Sequence, residues 1–129
     1  MKSVAGFTTE IGCGPLTGEN YTELVRLSLP AGKYLIIGKG LVTNQLATSE
    51  TVACNLYSSA AHLDTSDVTL PSASIIQASS YATLAFNAPV DLPNGGDVWI
   101  ECIGGGEPPG IWASAFRLSA LSVSSLIIQ

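Results

Sequence analysis

The chain has 129 residues, enough for one domain with its own core and too few for two. Only 12% of the residues are charged and 47% are hydrophobic, which excludes a disordered, solvating tail. Five basic against ten acidic residues give a formal charge of −5, and no basic patch could neutralise several phosphates, so nucleic-acid binding is disfavoured.

The first twenty residues are weakly patterned and read as an arm or an irregular strand. The apolar stretch Val4 to Phe7 stops at Thr8, Thr9 and Glu10, short of the roughly 7–15 apolar residues of a secretory signal. No later run approaches the ~20 apolar residues of a membrane span. The expectation is therefore a protein made in the cytosol, with no signal peptide and no membrane segment.

From Glu23 onward the apolar positions recur with period two. Val25, Leu27 and Leu29 alternate with Leu24, Arg26 and Ser28, and Pro30-Ala31-Gly32 turns the chain into a long strand over Lys33 to Val42. Thr51 to Ser58 places Val52, Cys54 and Leu56 on one face, with Ala53, Asn55 and Tyr57 on the other. A short strand over Ser66 to Leu70 ends at Pro71. Tyr81 to Asn87 follows, and Leu92-Pro93-Asn94-Gly95-Gly96 is a turn. Asp97 to Ile103 alternates Val98, Ile100 and Cys102 against Trp99, Glu101 and Ile103. Gly104 to Gly110 is a loop, and Ile111 to Ile128 supplies one or two closing strands. Seven or eight short strands between turns predict an all-β sandwich of two antiparallel sheets, with an arm at 1–20 and one domain at 21–129.

Catalytic constellations are weak. His62 is the only histidine, lies in a polar stretch between strands, and has no nucleophile elbow to serve. Asp64 and Asp67 suit turn capping better than a cation cage. Glu101 has no carboxylate partner for glycoside hydrolysis. Gly104-Gly105-Gly106 is followed by Glu107-Pro108-Pro109, where a phosphate cradle needs a helix. The expectation is no enzyme, no metal and no cofactor.

Three cysteines cannot all pair within one chain. Cys54 and Cys102 share the core-facing phase of their strands, so they are either a disulfide or two buried thiols; a reducing cytosol favours the thiols. Tyr57, Trp99 and Trp112 are candidate subunit-interface residues, because Trp and Tyr on a half-polar sheet face combine apolar area with a polar handle. The alternative puts them under long loops. His62, Gly105, Glu107, Pro108 and Pro109 form candidate partner-contact loops, the two prolines lowering the ordering cost of a contact.

Leu29-Pro30-Ala31-Gly32-Lys33-Tyr34-Leu35 resembles a strand opening of the complement globular-head and tumour-necrosis-factor-like family. Leu92 to Ile100, reading LPNGGDVWI, is similar to that family's Gly-Asp-x-Val-Trp strand entry. Ala113 to Leu118 resembles its closing strand, with Arg117 where glycine is usual. The resemblance spans about Tyr21 to Leu121. It implies a jelly roll, usually a tight homotrimer on flat, aromatic-bearing sheet faces, and no catalytic residues. Similar modules occur in phage and bacterial surface proteins.

The first functional expectation is a non-enzymatic bacteriophage virion protein, a homotrimeric capsid decoration or cement protein that binds the major capsid protein or another virion component. Its arm would reach onto the capsid. The alternative is the receptor-binding tip of a tail fibre or spike, contacting a host surface receptor. A carbohydrate-binding module, with Trp99 and Trp112 stacking on sugars, ranks third.

Overall fold

The period-two pattern resolves, in a computed structural model describing residues 6–10, 13–59, 61–73, 80–105 and 110–123, into nine strands among those residues. They are β1 (Gly6–Glu10), β2 (Cys13–Leu16), β3 (Thr22–Leu29), β4 (Gly32–Asn44), β5 (Glu50–Ser58), β6 (His62–Leu70), β7 (Ser80–Leu92), β8 (Gly96–Gly104) and β9 (Ile111–Val123). All pairings are antiparallel. The first sheet runs β1-β9-β4-β7, with β2 also on β9, and the second runs β3-β8-β5-β6. The result is a jelly-roll sandwich with its core between the sheets.

The N-terminal segment takes the strand alternative. β2 pairs Ile111 to Ser114, and β1 pairs Arg117 to Leu121. Both lie along β9. Between the stretches of β9 that they pair, the strand carries a bulge, where Ala115 has φ 53° and the register against β4 slips between Lys39 and Leu41. Local pattern did not reveal this pairing, because the partner lies a hundred residues away.

Strand ends differ from the sequence expectation for identifiable reasons. β7 continues through Pro89 to Leu92, although proline lacks an N–H. It can do so because β7 is a sheet edge. Two residues earlier, the outward-turned N–H of Asn87 donates to Asp64 Oδ2 at 3.0 Å, so Pro89 occupies a position whose N–H would also point off the sheet. β6 starts at His62, four residues earlier than its pattern suggests, because a register shift beside Tyr57 draws His62 into the ladder.

Two turns carry the motifs that looked familiar. Tyr34 is fully buried and its hydroxyl donates to Pro30 O at 2.6 Å, folding the β3–β4 turn over its own ring. In the β7–β8 turn, Gly95 N donates to Leu92 O at 3.0 Å with φ 77°, a left-handed conformation that disfavours any side chain. The core interleaves Tyr34, Ile36, Val42, Leu84, Phe86, Phe116 and Leu118 of the first sheet with Val52, Leu56, Val98 and Ile100 of the second. At the centre of the second sheet, Cys54 and Cys102 are opposite residues of β5 and β8, with Cα atoms 4.1 Å apart and an S–S bond of 2.03 Å. Both are wholly buried. Neighbouring strands in register bring the two sulfurs together, which the shared phase alone could not decide.

Candidate functional site

The sandwich has two outer faces, and they differ in chemistry. On the second sheet, alternation turns Arg26, Trp99, Tyr57 and His62 outward. The register aligns them: Arg26 opposite Trp99, Trp99 opposite Tyr57, Tyr57 opposite His62. The four form one row across all four strands. The Arg26 guanidinium carbon lies 4.3 Å from the Trp99 ring centroid. Tyr57 stacks beside Trp99 with centroids 5.7 Å apart, and His62 tilts against Tyr57 at 5.1 Å. Cation–π and offset aromatic contacts of this kind each stabilise by about 0.5–1.5 kcal/mol.

This row accounts for the half-burial of Tyr57 and Trp99. They are covered by one another and by Arg26, from neighbouring strands. β3 and β5 flank β8 on opposite sides, so Arg26 and Tyr57 reach Trp99 from the two neighbouring strands. Trp112 lies on the other outer face of the sandwich, opposite Pro15 and Thr43. Trp99 and Trp112 therefore cannot hold one sugar between them.

Around the row, polar groups are tightly paired. Arg26 Nε donates to Glu23 Oε1 at 3.0 Å, and Nη1 donates to Asp97 Oδ2 at 2.7 Å. Ser28 Oγ donates to Asp97 Oδ1 at 2.8 Å. The Ser28 hydroxyl, and then the Arg26 guanidinium, hold the Asp97 carboxyl below the usual aspartate range. The hydrogen bonds from Arg26 to Glu23 and Asp97 raise the guanidinium further above its already high value. Glu101 points outward in the same face, directly opposite Glu23.

His62, expected in a loop, opens β6. Its Nε2 lies 2.8 Å from Thr65 Oγ1 and 3.0 Å from Asp64 O, and Thr65 Oγ1 donates to Asn55 Oδ1 at 2.9 Å. No serine nucleophile is among those partners. Asp64 accepts from Thr65 N and Asn87 N, tying β6 of one sheet to β7 of the other. Gly105 follows β8 and donates its N–H to Thr51 O at 3.2 Å. It sits at the far end of β8 from the His62 row, six residues or roughly 20 Å along the strand, so His62 and Gly105 do not share a loop cluster. Glu107, Pro108 and Pro109 lie outside the described residues. Among the described residues no three His, Cys, Asp or Glu side chains converge on a metal position, and no helix is long and apolar enough to cross a membrane.

On the outer face of the first sheet, sequence reasoning singled out Trp112 and missed the rest of the surface. Ile37 is 43% exposed, Tyr81 62% and Leu121 37%, three of the four large apolar side chains that the described residues leave in water. Leu35, Leu41 and Trp112 are half-buried on the same face. Trp112 Nε1 is buried there with no hydrogen-bond partner among the described residues. Lys39 borders an open recess of about 270 Å³ with Gly40, Leu41, Thr83 and Ala115, beside the bulge in β9. The signal was present: Tyr34 to Ile37 is apolar without alternation, which marks a strand apolar on both faces.

No family model and no curated protein sequence matches the chain. Solved structures do. A chain from the structure of the infectious bursal disease virus Gx strain superposes with a TM-score of 0.64 at 13% identity, covering 98% of this chain and 35% of that one. A chain of the T13 viral particle of the same virus gives 0.64 at 12% identity, covering 92% and 31%. The VP2 subviral particle gives 0.58 at 13%, covering 92% and 32%. The chain thus spans about a third of the length of the virus-particle chains it resembles, and at this identity the likeness shows a shared jelly-roll sandwich fold.

Proposed function

We propose that this chain is a non-enzymatic structural protein of a virion, acting by packing against copies of itself and against other virion components. The observation that carries the reading is the outer face of the first sheet, where Ile37, Tyr81 and Leu121 remain in water on a single chain. Several large apolar side chains left in water on one sheet face point to an interaction site. The likeness to chains of virus particles supports the same reading at the level of fold.

In its finer form, the protein is a bacteriophage capsid decoration protein that works as a homotrimer. The number three comes from the family resemblance in Leu29 to Leu35, Leu92 to Ile100 and Ala113 to Leu118. The mechanism is mechanical: each copy buries its apolar face against a neighbour, and the three copies contact the capsid together. Linked weak contacts gain strength by effective concentration without new chemistry. The N-terminal segment contributes as the sheet-edge strands β1 and β2 rather than as a wholly free arm.

The test is the solution mass by light scattering, followed by cosedimentation with capsids. The wild type is expected at three times 13.3 kDa, and Ile37→Asp with Tyr81→Asp at the monomer mass, with capsid binding lost. A wild-type monomer that ignores capsids while binding cell-surface receptors would replace this reading with the fibre-tip alternative.

A further inference from the structure

Cys54 and Cys102 join the two inner strands of the second sheet, and nothing in the proposed role uses them. Their row runs Thr22 on β3, Cys102 on β8, Cys54 on β5 and Ser66 on β6, so each sulfur is one strand in from a sheet edge. Both cysteines belong to the core and expose no surface. The first sheet packs closely against β8 on either side of the bond. Two residues before Cys102, Ile100 Cδ1 lies so near Gly38 of β4 that a Cβ there would come within 2.9 Å of it. Two residues after Cys102, Gly104 lies against Ile111 of β9 and Leu16 of β2, where a Cβ would come within 3.0 and 3.2 Å.

Thiol–disulfide exchange begins when a thiolate reaches one sulfur of the bond. Between sheets packed this closely a reagent has no path to either sulfur. We infer that the fold seals the pair: its redox state is fixed when the two sheets close, and changes afterwards only if they separate. The inference concerns the packing of one chain and does not depend on the virion reading. Its consequence is a redox state that outlasts the compartment in which the chain folded. A chain that closes oxidised keeps its crosslink in a reducing cytosol, where accessible disulfides are lost. A chain that closes as the dithiol stays a dithiol in an oxidising medium.

The experiment uses the Cys13→Ser chain, so that only this pair reports, and counts free thiols by alkylation and mass. In one arm dithiothreitol is the reductant. Its thiolate attacks a sulfur and the S–S bond breaks; the mixed disulfide then resolves to the cyclic oxidised reagent, leaving Cys54 and Cys102 as thiols. In the other arm oxidised glutathione accepts the two electrons as the bond forms, and leaves as two glutathione thiols. Reduction of the folded protein should be at least about a thousandfold slower than in denaturing urea, because the open fraction of a stable domain is about 10⁻³ or less. As urea rises, the rate should follow the unfolded fraction reported by tryptophan fluorescence. Protein refolded as the dithiol and freed of reductant should resist oxidised glutathione by a similar factor. Reduction in native buffer at the rate seen in urea would overturn the inference. So would a rate that ignores urea while fluorescence still reports a folded chain, since the sulfurs are then reached through a local opening. If the dithiol chain does not fold, the reduction arm decides alone.

Discussion

Gly40 offers the sharpest test of how the core is packed. It faces inward on β4, opposite the bulge that Ala115 and Phe116 make in β9. A methyl group at this position would overlap the Phe116 ring atoms Cγ, Cδ1 and Cε1, well inside the ~3.5–4.0 Å at which carbon atoms rest. Phe116 is completely buried, so its ring has to shift neighbours rather than swing into water. Overpacking of this kind costs about 1–3 kcal/mol. Removing glycine's freedom from the unfolded chain returns about 0.4–1 kcal/mol. The clash wins, and Gly40→Ala should lose about 1–2 kcal/mol. With ~2.1 cal/mol/K of unfolding entropy per residue over 129 residues, the Tm falls by about 4–8 °C. Gly14→Ala is the control, because a methyl group there meets nothing within 4 Å; its Tm should hold or rise slightly. In a double-mutant cycle by urea unfolding, Phe116→Leu should relieve Gly40→Ala with a coupling of at least ~0.5 kcal/mol. Wild-type stability of Gly40→Ala, or strict additivity with Phe116→Leu, would refute the packing argument.

Three further outcomes follow from the remaining contacts. Replacing both Cys54 and Cys102 by Ala opens a crosslink spanning 48 residues, which the chain-entropy treatment values at about 4 kcal/mol. Thermal unfolding should then drop by about 15 °C; equal Tm values with and without the cysteines would show that the crosslink contributes nothing. Asp64→Ala removes the acceptor of Asn87 N and Thr65 N, worth about 1–2 kcal/mol. It also frees part of the β7 edge for intermolecular pairing, so turbidity on heating should rise, and a clear solution would argue that the edge is protected some other way. Asp97 has a folded pKa below its unfolded value, so its contribution is complete above the ordinary aspartate range near pH 4 and is lost as pH falls through the lower folded value. Carboxyl NMR titration of Ser28→Ala should move the Asp97 midpoint upward, and an unmoved midpoint would exclude the Ser28 hydroxyl as the main cause.

Much of this architecture is legible in the amino-acid sequence. Alternation in Thr51 to Ser58 and Asp97 to Ile103 placed Tyr57, Trp99 and Glu101 outward and both cysteines inward, because successive side chains on a strand must point to opposite faces. The turns at Pro30 to Gly32 and Pro93 to Gly96 were readable from residues that favour only a few backbone conformations. What stayed hidden depends on partners distant in sequence. Strand phase names a face but not a neighbour, and a slip of one residue in register would separate every pair described above. Only the tertiary structure sets Arg26 against Trp99, 73 residues apart, joins Cys54 to Cys102, and recruits β1 and β2 to β9. It alone leaves Ile37, Tyr81 and Leu121 together on one outer face. Local chemistry settled which residues are strands and which side of the strand each occupies. The pairing of those strands, and with it the surface a second molecule would meet, was decided by burying both sheets at once.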